Sequence, residues 1–348
     1  MIVLPYLTHV PTIGTDLDAA ADAAIIGRTV VGTRCRLGRI ATLRGDGESI
    51  FIGDDCWFGD YSTVHIAHGH YSTTVGDGCS IGRYALVHAC VLGAGVVFGE
   101  NAVVMDTSEV GPCAVIAADS VVPPGKKLAG GWLHAGTPAK PVRELAPGEL
   151  EALHARVRGT RVPDAALDAI VCSTRPAAAV RQAPGSGFGG VTVGSAYVAP
   201  SASLTGALAL GARASVWFGV EIIGEGAAVE VGDDSNVQDN TRVALGAGER
   251  LRIGRRVTIG HNVRIDGACE VGDDAMLGMG STVGRGTVVG TGAVVAAGAV
   301  TEPGTVVAAG EIWAGAPARR WKPVPPENRE NFARGVGVYV EYTGNYTR

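Results

Sequence analysis

Aliphatic residues recur every six positions along this chain, and no other feature constrains its fold as tightly. They stand at Ile25, Val31, Leu37 and Leu43, then at Ile52, Phe58 and Val64, then at Val75, Ile81 and Val87. After one shorter step they resume at Leu92, Phe98, Val104, Val110, Ile116 and Val122. A helix repeats at about 3.6 residues and a two-faced strand at about 2, so a period of six means short flat strands separated by equal turns. Three such repeats close one triangular coil, with the aliphatic side chain pointing into the prism. Glycine often follows it, as in Ile52-Gly53, Val75-Gly76 and Ile81-Gly82, and a small residue there allows a tight corner. Fifty-two of the 348 residues are glycine, without the strict three-residue register of a collagen. The expected fold is all-β, a hexapeptide-repeat left-handed parallel β-helix.

The pattern runs twice. Val198, Leu204, Leu210, Val216 and Ile222 lead to Val231, Val237 and Val243, then to Ile253, Ile259 and Ile265, then to Val271, Leu277, Val283, Val289 and Val295. The segment Ala135-Gly136-Thr137-Pro138-Ala139-Lys140 returns as Ala314-Gly315-Ala316-Pro317-Ala318-Arg319. Two tandem β-helices are therefore expected, arising by duplication, over residues 1–158 and 191–348. Helical spacing appears from Pro147 to Arg158 and, more weakly, from Asp164 to Cys172. Residues 159–190 read as a linker, most clearly the Pro-, Gly-, Ser- and Ala-rich run from Ser173 to Gly190. Each β-helix is thus followed by a helical segment, the second at Glu327 to Arg334, while the final GVGVYVEYTGNYTR fits no single element.

A net charge of −5, with 29 basic and 34 acidic residues in short clusters, gives no basic stripe for nucleic acid or an anionic membrane. No run of about 20 apolar residues suits a spanning helix, and the N-terminus lacks a basic segment ahead of an apolar one. Seven cysteines without a C-x-x-C pair suit a reducing compartment, so a cytoplasmic location is expected. Cys56, Cys79, Cys90, Cys113 and Cys269 lie within repeats and read as packing or corner residues.

The chemistry-bearing residues are few and ordered. The first half contains Leu43-Arg44-Gly45-Asp46, then Asp60 to His65, then Ile81 to Cys90; the second contains Gln238-Asp239-Asn240, then Val257 to His261. In these residues, together with the A-G-x-P-A-K tail, the chain resembles the gamma-class carbonic anhydrases over about 120 residues of each half. That resemblance implies a trimer of prisms with zinc, or iron or cobalt, at the interfaces. Two histidines would come from one prism and a third from its neighbour. The family pattern is a Q-D-x-x-x-x-H segment followed by an I-G-H-x-x-x-x-H segment. The first half reads Gly59-Asp60 to His65 and then Arg83 to His88, keeping both outer histidines and losing the Gln and the middle His. The second half keeps Gln238 and His261, and has Ala244 and Asp266 where the outer histidines would stand.

Stacking predicts that Arg44, His65 and His88, each directly after a stacked aliphatic residue, form one column at about the 4.8 Å spacing of neighbouring strands. The equivalent column of the second half is Ile223, Ala244 and Asp266. The losses are complementary, so the resemblance implies one composite three-histidine metal site: His65 and His88 from the first half and His261 from the second. Three imidazoles plus an open position form a catalytic zinc arrangement, and such a metal supplies hydroxide near neutral pH. Gln238 would bind the hydroxide or substrate, Arg44 and Asp46 would position the site, and Asp60 and Asp239 would support it. Arg83 is expected to pair with a carboxylate such as Asp266 where the unlike faces meet. His68 and His70 read as loop residues with a possible shuttle role, His134 as a secondary candidate, and His9 and His154 as surface residues.

The expected activity is hydration of carbon dioxide, or attack of the same hydroxide on a small carbonyl metabolite, in a homo-oligomer built through β-helix faces. Two alternatives stand beside it. A hexapeptide acyltransferase would use a histidine base and a coenzyme A thioester without needing metal. A structural assembly module would have no turnover.

Overall fold

The computed structural model describes residues 1–175 and 195–346, which fall in two compact units, Met1–Pro176 and Ala177–Arg348. Each unit is a left-handed parallel β-helix of stacked triangular coils, so the six-residue period sets the fold.

In the first unit, one face stacks Leu37, Phe58, Ile81, Phe98 and Ile116 through the parallel strands Arg36–Leu37, Trp57–Phe58, Ser80–Ile81, Val97–Phe98 and Val115–Ile116. The long strand Thr42–Ile52 turns a corner and serves the other two faces. Its start pairs with Thr63–His65, placing Leu43 on Val64 and Arg44 beside His65. Its end pairs with Thr73–Val75, placing Ile52 on Val75. The stacked side chains form one buried apolar column running through the prism. Burying each large aliphatic chain contributes about 1.5–3 kcal/mol, repeated coil after coil.

The glycines after the aliphatic residues have a different role from the one expected. A Cβ on Gly59 would lie 2.8 Å from the Arg83 nitrogen, and one on Gly82 would lie 2.8 Å from the Phe98 oxygen. Close approach of the next coil is therefore what excludes a side chain there. The corner itself falls later in each repeat, where Ile40, Tyr61, Tyr84 and Asn101 take left-handed backbone with φ of 56–58°. Asn101 adopts it readily, whereas Ile40, Tyr61 and Tyr84 do so reluctantly and are held there by the hydrogen-bonded coils on either side.

The second unit repeats the architecture with three sheets. One contains Asn236–Val237 and Thr258–Ile259, another Arg242–Ala244 and Arg264–Asp266, and the third Arg250–Ile253 and Cys269–Val271. Both stacks end in an antiparallel hairpin: Trp132–Gly136 with Ala139–Glu144, and Glu311–Ala314 with Arg319–Pro323.

Among the described residues, three helices accompany the prisms. Helix α1, Glu149–Val157, and helix α2, Ala165–Val171, agree with the helical spacing. Leu153, Leu167 and Val171 cover Val97, Val115 and Leu133 on the outside of the first prism. Asp164 caps α2 through its side chain, and Arg156 pairs with Asp168 between the helices. Within residues 159–190, expected as linker, α2 is thus packed on the first unit; residues 176–190 of that span lie outside the described residues. Helix α3, Pro326–Tyr346, is longer than the expected Glu327–Arg334 and takes in most of the tail that fitted no element. Among the described residues no helix is long and apolar enough to cross a membrane.

Candidate functional site

Register alone assembles the first half of the site. Arg44 pairs with His65 across one ladder and His65 with His88 across the next, as the stacking predicted. Both histidines are buried, as are Arg44 and Asp46. Arg44 Nη1 donates to Asp46 Oδ2, and Asp46 Oδ1 lies 3.1 Å from His65 Nε2. On the other side, His88 Nδ1 lies 2.6 Å from Oδ1 of Asp106, a residue the sequence reading did not single out. Its one signal was position, two residues beyond Val104, the next aliphatic residue stacked on Val87.

The two carboxylates decide what the inner nitrogens present. Each takes the N–H of the ring nitrogen nearest to it, as carboxylates behind functional imidazoles do, which leaves His65 Nδ1 and His88 Nε2 with lone pairs. Those two nitrogens face each other at 3.3 Å. A shared proton or a cation satisfies this arrangement, and two bare lone pairs do not. The donor set therefore fits a metal ion as well as a proton, since each imidazole is neutral, oriented and backed by a carboxylate.

In the second unit, His261 is buried with Nδ1 3.1 Å from Asp239 Oδ2. Asp239 Oδ1 accepts from the Phe218 backbone N–H, so the corner backbone fixes the carboxylate. Asp60, its counterpart, accepts from the Arg39 N–H and serves as a corner brace. Gln238 is buried, its Nε2 donating to Asn236 Oδ1 at 3.0 Å. Among the described residues its Oε1 has no hydrogen-bond partner. On the opposite side of His261, Nε2 lies 3.4 Å from the hydroxyl of Tyr339 on α3, a contact that could not be anticipated while that segment fitted no element. The register also places Ile223, Ala244 and Asp266 in one column, so that face carries no imidazole.

Other expectations are corrected. Arg83 finds its carboxylate in Glu100 of its own prism, at 2.7 Å, and Asp266 lies 3.9 Å from Arg264. One coil separates Arg83 from Glu100, and that short reach within the prism satisfies the guanidinium. His134 is buried on the hairpin strand Trp132–Gly136, 2.9 Å from the Ala129 carbonyl, away from the face of His65 and His88. His154 is a helix clamp and not a surface residue: Nδ1 lies 2.7 Å from Ser80 Oγ and Nε2 3.1 Å from the Gly95 carbonyl. Burial, assisted by Arg158, holds its imidazolium form below the usual histidine range. His68 is half-buried and His70 exposed in the loop after His65. Cys113 is exposed, whereas burial pushes the Cys269 thiol up to about 11 and raises Cys90 as well, so neither buried thiol is poised as a nucleophile.

Known proteins share these features in part. The model of the family described as "Hexapeptide repeat of succinyl-transferase" matches residues 49–83, 250–285 and 269–301. The carnitine operon protein CaiE of Escherichia coli is 31% identical over 128 residues, 37% of this chain and 65% of that protein. The chain thus spans just under two thirds of that relative. CaiE of Salmonella agona is 30% identical over 141 residues, 40% of this chain and 71% of that protein. A putative acetyltransferase from Desulfovibrio desulfuricans shares the fold at a TM-score of 0.55 and 14% identity, over 99% of this chain and 82% of its own.

Proposed function

Since this chain belongs to the hexapeptide-repeat β-helix family, in which CaiE is its relative, we propose that it is an acyl-transferring enzyme served by the His65–His88 pair. The observation that carries this reading is the facing of His65 Nδ1 and His88 Nε2 at 3.3 Å, each ring backed by a carboxylate. Two ring nitrogens facing each other in this way offer a lone pair to an incoming proton, which is what a general base must do. An acceptor hydroxyl or amine gives its proton to the pair as its oxygen or nitrogen attacks the carbonyl of a thioester. The carbon–sulfur bond breaks, and the proton passes from the pair to the departing thiolate. The name of the matching family model, a succinyl-transferase repeat, supports a thioester donor. No relative named above is described as a carbonic anhydrase, so hydration of carbon dioxide gives way to acyl transfer as the leading reading.

The same two lone pairs favour a second reading. We propose that His65 and His88 can hold a zinc, iron or cobalt ion, with His261 of a second unit as third ligand and Gln238 beside the substrate. A metal there would supply Lewis acidity and lower the pKa of water. Asp46 and Asp106 would then hold His65 and His88 in the ligating tautomer, with the Asp239 charge beside His261.

Release of free thiol from acetyl- or succinyl-coenzyme A, with and without a chelator, distinguishes the readings. Acyl transfer predicts acceptor-dependent release that persists in chelator and falls at least 100-fold in His88→Ala. No release with any hydroxyl or amine acceptor overturns it, and activity abolished by chelator transfers the assignment to the metal.

A further inference from the structure

Helix α3 brings to His261 a group that the repeat pattern does not contain. Its second half buries Val336, Tyr339, Tyr342 and Thr343, whereas the residues before Val336 are half-buried or exposed. Trp217, wholly buried and held through its Nε1–H on Ser215 Oγ at 2.9 Å, is the anvil for this contact. The rings of Tyr339, Tyr342 and Tyr346 all meet it edge-on, at centroid distances of 5.3, 5.8 and 5.3 Å. Tyr339 and Tyr342 also pack edge-to-face on each other at 5.6 Å. Such contacts fix ring orientation as well as position.

We infer that Tyr339 is a positioning residue for His261, its hydroxyl donating to Nε2 and so fixing the ring in the Nδ1–H tautomer. Two groups bracket the imidazole. Asp239, itself braced by the Phe218 N–H at 3.0 Å, stands 3.1 Å from Nδ1, off the line of a hydrogen bond, and its negative charge favours the ring proton on that side. The Tyr339 hydroxyl stands 3.4 Å from Nε2, where it meets a lone pair. A carboxylate charge beside one nitrogen and a hydroxyl bonded to the other favour a single tautomer. The aromatic packing on Trp217 holds the hydroxyl in place, so helix and prism jointly define the state of the histidine.

The tautomer belongs to the metal-free chain; under the metal reading above, a cation on Nε2 would displace the tyrosine hydroxyl. The test is nitrogen-15 NMR of histidine-labelled full chain, with signals assigned through His261→Gln. Tyr339→Phe keeps the ring and removes the donor, and Tyr342→Phe removes a hydroxyl while keeping a ring on Trp217. The expected result is a shift of the His261 Nε2 resonance toward that of an unbonded imidazole in Tyr339→Phe, well beyond any change in Tyr342→Phe. Unmoved His261 resonances in Tyr339→Phe, or equal shifts in both variants, would overturn the inference. A selective shift in a chain with no detectable activity would uphold the positioning role and count against the functional reading alone.

Discussion

His65 and His88 each take their chemistry from a carboxylate outside the repeat's own spacing. His65 and His88 could be read from the sequence because each directly follows a stacked aliphatic residue, and ladder pairing then had to bring them together. Asp106 could not, because its side chain reaches His88 from the turn after the next coil. The two carboxylates differ in exposure, which separates their effects. The Asp106 side chain is 40% exposed, whereas Asp46 is fully buried against Arg44. Asp106→Asn should therefore lower activity about 10- to 100-fold while leaving urea unfolding near wild type. Asp46→Ala should also remove a buried carboxylate from beside the buried Arg44 charge and cost about 3–5 kcal/mol in the same unfolding measurement. Equal stability losses in the two variants would refute this division of roles.

At the scale of elements, the strands were legible and the helices only partly so. The six-residue period located the strands because each aliphatic residue is buried by its own coil and its neighbours. Helix α3 was hidden from that kind of reading by Gly335, Gly337 and Gly344, each costing about 1 kcal/mol relative to alanine in a helix. A Cβ on any of them would meet open space, so packing does not call for glycine there, and tertiary contact with Trp217 outweighs the poor propensity. Helix α1 is held differently, through His154 in its neutral form between Ser80 Oγ and the Gly95 carbonyl. Its folded-state value lies below the ordinary 6.5. The unfolded chain therefore binds the proton more readily, and the clamp's contribution is present above about 6.5 and is lost as pH falls below it. Hydrogen exchange in Glu149–Val157 should accelerate on acidification below that point relative to Leu86–His88, and His154→Gln should flatten the dependence. An exchange ratio independent of pH in the wild type would count against it.

For the whole molecule, the two units carry unlike polar residues on the same architecture. The first keeps the imidazole column and the second keeps Gln238 and His261, while its own column reads Ile223, Ala244 and Asp266. Under the metal reading this asymmetry predicts about one ion per chain and not two, lost in His88→Ala and in His261→Ala alike, as elemental analysis of purified chains would show. Retention of the ion in His261→Ala would assign it to the first unit's pair alone. Finally, the hairpins that end the two stacks bear on how long the solenoids can grow. A parallel ladder left open invites another copy to add its own first coil, and repetition would give a fibre. Here the last strand of one face is already paired with the returning Ala139–Glu144 or Arg319–Pro323. Those returning strands bring Lys140, Pro141 and Arg143, or Arg320, Lys322 and Pro323, to the outer edge. Charge and missing amide hydrogens make that edge a poor template, so each hairpin works as a terminator against end-to-end polymerisation.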